Sequence, residues 1–127
     1  MPWKKQKGMP KTQRATIVID AEGKVVGRIA SQVARILMGK HKASYEYHID
    51  GGDFVQVVHA AKAEFTGKKW DEKVHFHSSN RPGGIRRVSV KKLREEKPEV
   101  IITHAVKYML PKNTHLASRM KRLKVTA

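Results

Sequence analysis

The spacing of hydrophobic positions changes several times along the chain, and each change marks an element. Thr16-Ile17-Val18-Ile19-Asp20 is a short β-rich run closed by the turn Ala21-Glu22-Gly23-Lys24. From Gly27 to Lys40 the period becomes helical. Ile29, Val33, Ile36 and Leu37 form a stripe with Ala30 and Ala34 beside it, and Arg28, Gln32 and Arg35 stand on the polar side. Gly39 ends that helix. Residues 40–53 read as loop, with a turn at Asp50-Gly51-Gly52. Phe54-Val55-Gln56-Val57-Val58 is nearly continuous in apolar character, which predicts a strand buried on both faces, as in a parallel sheet covered by helices. Lys73 to His77 alternates, so it reads as a half-exposed strand, and Ser78 to Gly84 follows as loop. Ser89 is placed to cap a helix carrying Val90 and Leu93 inward. Pro98 suits the first position of the next helix, where its missing N–H costs nothing. On that helix Val100, Ile101, His104, Ala105, Tyr108 and Met109 share a stripe, and Pro111 stops it. A short helix and a last strand, Leu123-Lys124-Val125, complete the chain.

The order β, α, β, β, α, α predicts an α/β domain with a mainly parallel sheet. Residues 16–111 form the expected core, flanked by a basic arm at 1–15 and a basic extension at 112–127. Composition gives the flanks their meaning. The chain has 127 residues, 39% of them hydrophobic, enough for one real core. Against 11 Asp and Glu stand 27 Lys and Arg, a net charge of +16. Such self-repulsion opposes compaction and implies a polyanionic partner, with nucleic acid first and an anionic membrane surface second. The absence of cysteine excludes disulfides, thiolate metal sites and a cysteine nucleophile. No apolar run approaches the roughly 20 residues of a membrane span. The opening MPWKKQKGMPKTQR has no apolar stretch behind its charge, so it reads as a basic arm and not as a signal peptide.

Several stretches suggest catalysis or metal binding, and each has a plainer account. Gly23 and Gly27 bracket a strand-to-helix turn but lack the spacing of a phosphate-binding loop. His75 and His77 share a strand face, with His48 the candidate to join them, but zinc sites want three or four ligands and there is no HExxH or cysteine pair, so no metal is expected. Asp50 and Asp53 flank two glycines, which is turn chemistry, and no partnered nucleophile accompanies them. The basic clusters are the stronger signal. They recur in the N-terminal arm, at Lys40-His41-Lys42, from Arg81 to Arg87 with Lys91 and Lys92, and from Lys107 to Lys124. Between Lys107 and Ala127 there are six cations and no acid. Lys91 and Lys92 would occupy a first helical turn, where the helix dipole opposes cations, so an anion is expected nearby. No DNA-binding motif is visible, and basic tails around a small α/β core suit RNA read by shape. Aromatic residues are only 6% of the chain, so base stacking is not the expected mode.

Four collinear stretches then resemble the bacterial type of large-subunit ribosomal protein thirteen. They are Val18-Ile19-Asp20-Ala21 through Gly23-Lys24-Val25-Val26-Gly27-Arg28-Ile29-Ala30; Leu37 to Lys42 with Asp50 to Asp53; Thr66 to Lys69 with Gly83-Gly84-Ile85; and Ala105 to Pro111 with Leu123-Lys124-Val125. Tyr108 and Ala117 depart from glycines common in that family. The resemblance implies a three-layer α/β/α domain around a four-stranded parallel sheet and no enzymatic activity. It also implies binding to large-subunit ribosomal RNA beside neighbouring large-subunit proteins, and a role in early subunit assembly. On this reading the chain is a monomer within a cytoplasmic or organellar ribosome, with no cofactor, metal, membrane or small-molecule substrate. The residues expected at RNA are Arg28, Lys40, His41, Lys42, Arg81, Gly83, Gly84, Arg86, Arg87, Lys107, Lys112, Arg119, Lys121, Arg122 and Lys124. The rival of a different class is a small nucleotide-using or nucleic-acid-processing enzyme on the same scaffold.

Overall fold

A computed structural model describes residues 12–127. Most of the expected arm therefore lies outside the described residues. The elements run β1 (Thr16–Asp20), α1 (Val26–Met38), β2 (Phe54–Val58), a 3₁₀ turn (Ala60–Lys62), α2 (Lys69–Glu72), β3 (Val74–Ser78), β4 (Ile85–Ser89), α3 (Val90–Glu96), α4 (Pro98–Met109), α5 (Leu116–Lys121) and β5 (Leu123–Val125). β2 lies between β1 and β5 and pairs in parallel with both, Ile17 opposite Val55 and Val57 opposite Val125. Leu123–Val125, expected in a terminal extension, is thus the third strand of the central sheet.

The core sits between one face of this sheet and the helix pair α1 and α4. Ile19, Val55 and Val57 point into it from the strands, and Ile29, Val33, Leu37, Ile102 and Val106 meet them from the helices. The helical stripe expected on α1 is the buried one.

Three expectations are corrected. Among the described residues the parallel sheet has three strands, not four, because β3 and β4 pair with each other as a separate antiparallel hairpin. Their connection, residues 79–84, is far shorter than the dozen or so residues a parallel crossover needs. Phe54–Val58 is buried on one face and not on both. Val55 and Val57 are enclosed, but Phe54 is exposed, and on β1 Val18 is 61% exposed. The sheet is therefore half covered among the described residues, and the three-layer arrangement is not what they form.

The C-terminal end of α1 is where the fold fixes the long loop that follows. Gly39 takes the left-handed conformation, φ 84°, and its N–H donates to the carbonyls of Arg35 and Ile36. Gly52 then passes so close that a Cβ there would lie 1.8 Å from the Leu37 carbonyl oxygen. Only glycine fits that approach.

Candidate nucleic-acid interface

Two carboxylates, Asp53 buried and Asp50 partly buried, organise the loop after α1. Asp50 receives both terminal nitrogens of Arg122 at 2.7 Å, and Arg119 Nε approaches it at 3.5 Å. Arg122 also donates to the Leu37 carbonyl at 3.2 Å, covering one of the free carbonyls at the end of α1. Arg14 donates to the backbone carbonyls of Gly52, at 2.8 Å, and Asp50, at 3.0 Å. Asp53, 2% exposed, accepts from the Ala15 N–H at 3.1 Å, lies 2.7 Å from His41 Nε2, and pairs with the Lys42 ammonium. The Asp-Gly-Gly-Asp stretch thereby ties residues 14–15, the end of α1 and the α5–β5 corner into one unit. Burial alone would raise both carboxyl pKa values. At Asp50 the Arg122 hydrogen bonds and the Arg122, Arg14 and Arg119 charges outweigh it. At Asp53 the bonds from Lys42, Ala15 and His41, with the Lys42 charge, do the same. Both carboxyls are held below the ordinary range, which suits permanent counter-ions and not a proton-transfer pair.

The β3–β4 hairpin is the second feature. Its tip is closed by Ser79 N–H to Gly84 O and Gly84 N–H to Arg81 O, both 2.9 Å, with Gly83 at φ 73°. Phe76 and Ile85 are largely exposed, and the Arg87 guanidinium stands 5.7 Å from the Phe76 ring centre. Arg81, Arg86 and Arg87 are all exposed. At its base the hairpin meets α4 through stacked imidazoles: His75 and His104 have ring centres 3.9 Å apart and planes 13° apart. Burial, then the His104 charge and Lys73, lower the His75 pKa; burial, Lys73 and Lys107 lower that of His104. His75 is thereby engaged in packing beside exposed His77.

Around the end of α4 the exposed cations gather. Lys40 borders a surface cavity together with Pro111, Asn113 and Arg119, and Lys107 and Lys112 border the next one. Of the expected contact residues, Arg28, Lys40, Arg81, Arg86, Arg87, Lys107, Lys112, Lys121 and Lys124 are exposed and have no carboxylate within 4.0 Å among the described residues. These cations are presented outward on the hairpin, on both ends of α1, at the end of α4 and around β5.

The model of the family described as Ribosomal protein L13 matches residues 14–127. The chain belongs to that family. Its relatives include proteins named large ribosomal subunit protein uL13 from Caldanaerobacter subterraneus subsp. tengcongensis, 54% identical over 89% of this chain and 79% of the relative. Those of Thermotoga maritima, 50% identical over 91% and 77%, and Clostridioides difficile, 45% identical over 91% and 80%, carry the same name.

Within this L13-family chain the expected contact residues divide. Arg119 and Arg122, 3% and 8% exposed, are turned inward to Asp50. Lys42 and His41 are largely committed to Asp53. Gly83 and Gly84 build the hairpin turn. The anion expected near Lys91 and Lys92 comes from the chain itself, since Asp71 lies 3.9 Å from Lys91 and Glu96 lies 3.6 Å from Lys92. Sequence reasoning missed the anchoring role of Asp50 and Asp53. The available signal was two acids spaced by glycines inside an otherwise basic region. Asp20, Glu22 and His59 also converge, within 4.8 Å, but all three are exposed and Lys62 already occupies Glu22 at 2.7 Å.

Proposed function

We propose that this chain is a structural, non-catalytic constituent of the large ribosomal subunit. It binds large-subunit ribosomal RNA and supports early subunit assembly, on cytoplasmic ribosomes or those of an organelle. The observation that carries this reading is the set of nine outward cations without carboxylate partners among the described residues, in a fold where Asp50 and Asp53 are already ion-paired. RNA phosphates neutralise such a surface, and contacts of this kind supply affinity and orientation without reading sequence. Lys40, Lys107 and Lys112 serve one face of RNA, and Arg81, Arg86 and Arg87 carry the hairpin to another. Residues 1–15 act as a basic arm. Segment 112–127 has two roles: β5 completes the sheet, and Lys112, Lys121 and Lys124 stay outside it. The open sheet face, where Val18 and Phe54 stand exposed beside Gln56 and Lys124, is left for a neighbouring large-subunit protein. The enzyme reading loses its best candidates, since Asp50 and Asp53 are ion-paired and both titrate low.

Titrating salt against the affinity of the purified chain for large-subunit ribosomal RNA tests this. Log affinity should fall linearly with log salt, and each of Lys40→Ala, Lys107→Ala and Arg86→Ala should flatten the slope by about 1. Arg122→Met should act on stability and leave the slope alone. An affinity indifferent to salt would overturn the proposal.

A further inference from the structure

Tyr108 is the one large aromatic side chain on the stripe of α4 that the core does not use: it is 62% exposed in the last turn of the helix. Its ring is held on a support. His104, one turn earlier, lies 4.5 Å away with planes tilted by 37°, and His104 is itself stacked on His75. From the segment that follows, the Lys112 ammonium reaches to 5.7 Å of the ring centre. The ring also borders a surface cavity of about 420 Å³ whose other lining residues are Lys107, Lys112, Asn113 and Leu116. Asn113 accepts a bond from the His115 N–H through its side-chain oxygen, at 3.2 Å, which leaves its amide N–H groups directed elsewhere.

We infer that this cavity receives one unpaired nucleobase of the ribosomal RNA, stacked on Tyr108. The inference rests on the RNA-binding reading above and names one of its contacts. Three chemistries meet there, and a nucleotide carries all three. The tyrosine face and Leu116 offer an apolar slot for a flat ring. The Asn113 amide offers donors to the carbonyl or ring-nitrogen edge of a base. Lys107 and Lys112 stand at the rim, where the attached phosphates lie. A phosphate alone uses only the lysines, and an apolar protein side chain uses neither lysines nor amide. Lys112 sits on a flexible stem, so it can leave the ring for the phosphate when the base enters. The stacked imidazoles behind Tyr108 fix the ring before binding, which lowers the ordering cost of the contact.

The test uses the full chain, the large-subunit ribosomal RNA, and the variants Tyr108→Phe and Tyr108→Ala. Phe keeps the stacking face and should bind as the parent does. Ala should bind roughly tenfold more weakly, the size expected for one lost base stack. That loss should be the same at every salt concentration, because no phosphate contact is removed. Ultraviolet crosslinking followed by mass spectrometry should join the Tyr108 peptide to a single nucleotide. Ala binding as tightly as the parent, or Phe and Ala weakening equally, overturns the inference and leaves RNA binding intact. So does a crosslink in assembled subunits that joins Tyr108 to another protein. Failure of the parent chain to bind the RNA at all would remove the functional reading along with it.

Discussion

Replacing Asp50 with asparagine isolates the charge at the centre of the internal network while keeping its volume. Two arginines, both more than nine-tenths buried, depend on that carboxylate. Arg122 gives it two bonds of 2.7 Å, a bidentate geometry in which neither oxygen can be exchanged for an amide nitrogen without setting donor against donor. Among the described residues Arg119 Nη1 and Arg122 Nε are already buried without a partner, so these residues offer the site no spare acceptor. Breaking a buried pair by removing one member costs roughly 3–5 kcal/mol, because the remaining charge stays buried. A domain of this size has only about 5–15 kcal/mol to lose. With a urea slope of about 2 kcal/mol per molar, the midpoint should fall by roughly 1.5–2.5 M. Asp71→Asn is the control: Asp71 is exposed and lies 3.9 Å from Lys91, so its loss should cost about 0–1 kcal/mol. Equilibrium urea unfolding followed by circular dichroism gives both numbers. If Asp50→Asn falls no further than Asp71→Asn, the network does not hold the fold, and the inward assignment of Arg119 and Arg122 is wrong.

Two further outcomes follow from the same geometry. Gly52→Ala sets a Cβ 1.8 Å from the Leu37 carbonyl oxygen, and neither backbone can yield easily, so stability should drop by about 3 kcal/mol; Gly27→Ala, with nothing within 4 Å, should be neutral or slightly stabilising. Lowering the pH should destabilise the chain in two stages. Folded His75 and His104 take up protons less readily than unfolded histidine, so stability begins to fall as the pH drops through about 6.5. Folded Asp50 and Asp53 likewise bind protons later than the ordinary value of 3.8, so their stabilisation is present above it and disappears below it. Asp50→Asn should shrink the acid-side loss, and thermal melting across the pH range measures it.

Local rules made several elements legible in the sequence. The α1 stripe, its end at Gly39, Pro98 at the start of α4 and the Ser89 cap, which accepts the Lys92 N–H at 3.4 Å, all depend on residues within a few positions of one another. What escaped was long-range. Whether β3 joins a parallel sheet or folds back on β4 depends on the reach of residues 79–84, which hydrophobic period alone does not reveal. A run of cations looks the same whether each points outward or inward. Arg122 and Asp50 are 72 positions apart, and only the folded chain brings them together. The surplus charge points to a polyanion, but it does not separate cations on the surface from the two arginines that are turned inward to Asp50. The exposed ring of Tyr108 was hidden for the opposite reason, since its place on an apolar helical stripe reads as core.

The central claim is that the outward cations face ribosomal RNA in an assembled large subunit. Fractionating a lysate on a density gradient, at salt that leaves ribosomes intact, and detecting this chain in each fraction measures that directly. It should travel with the large subunit and with whole ribosomes and be scarce at the top of the gradient. Recovery only at the top, as a free small protein beside intact subunits, would contradict the account.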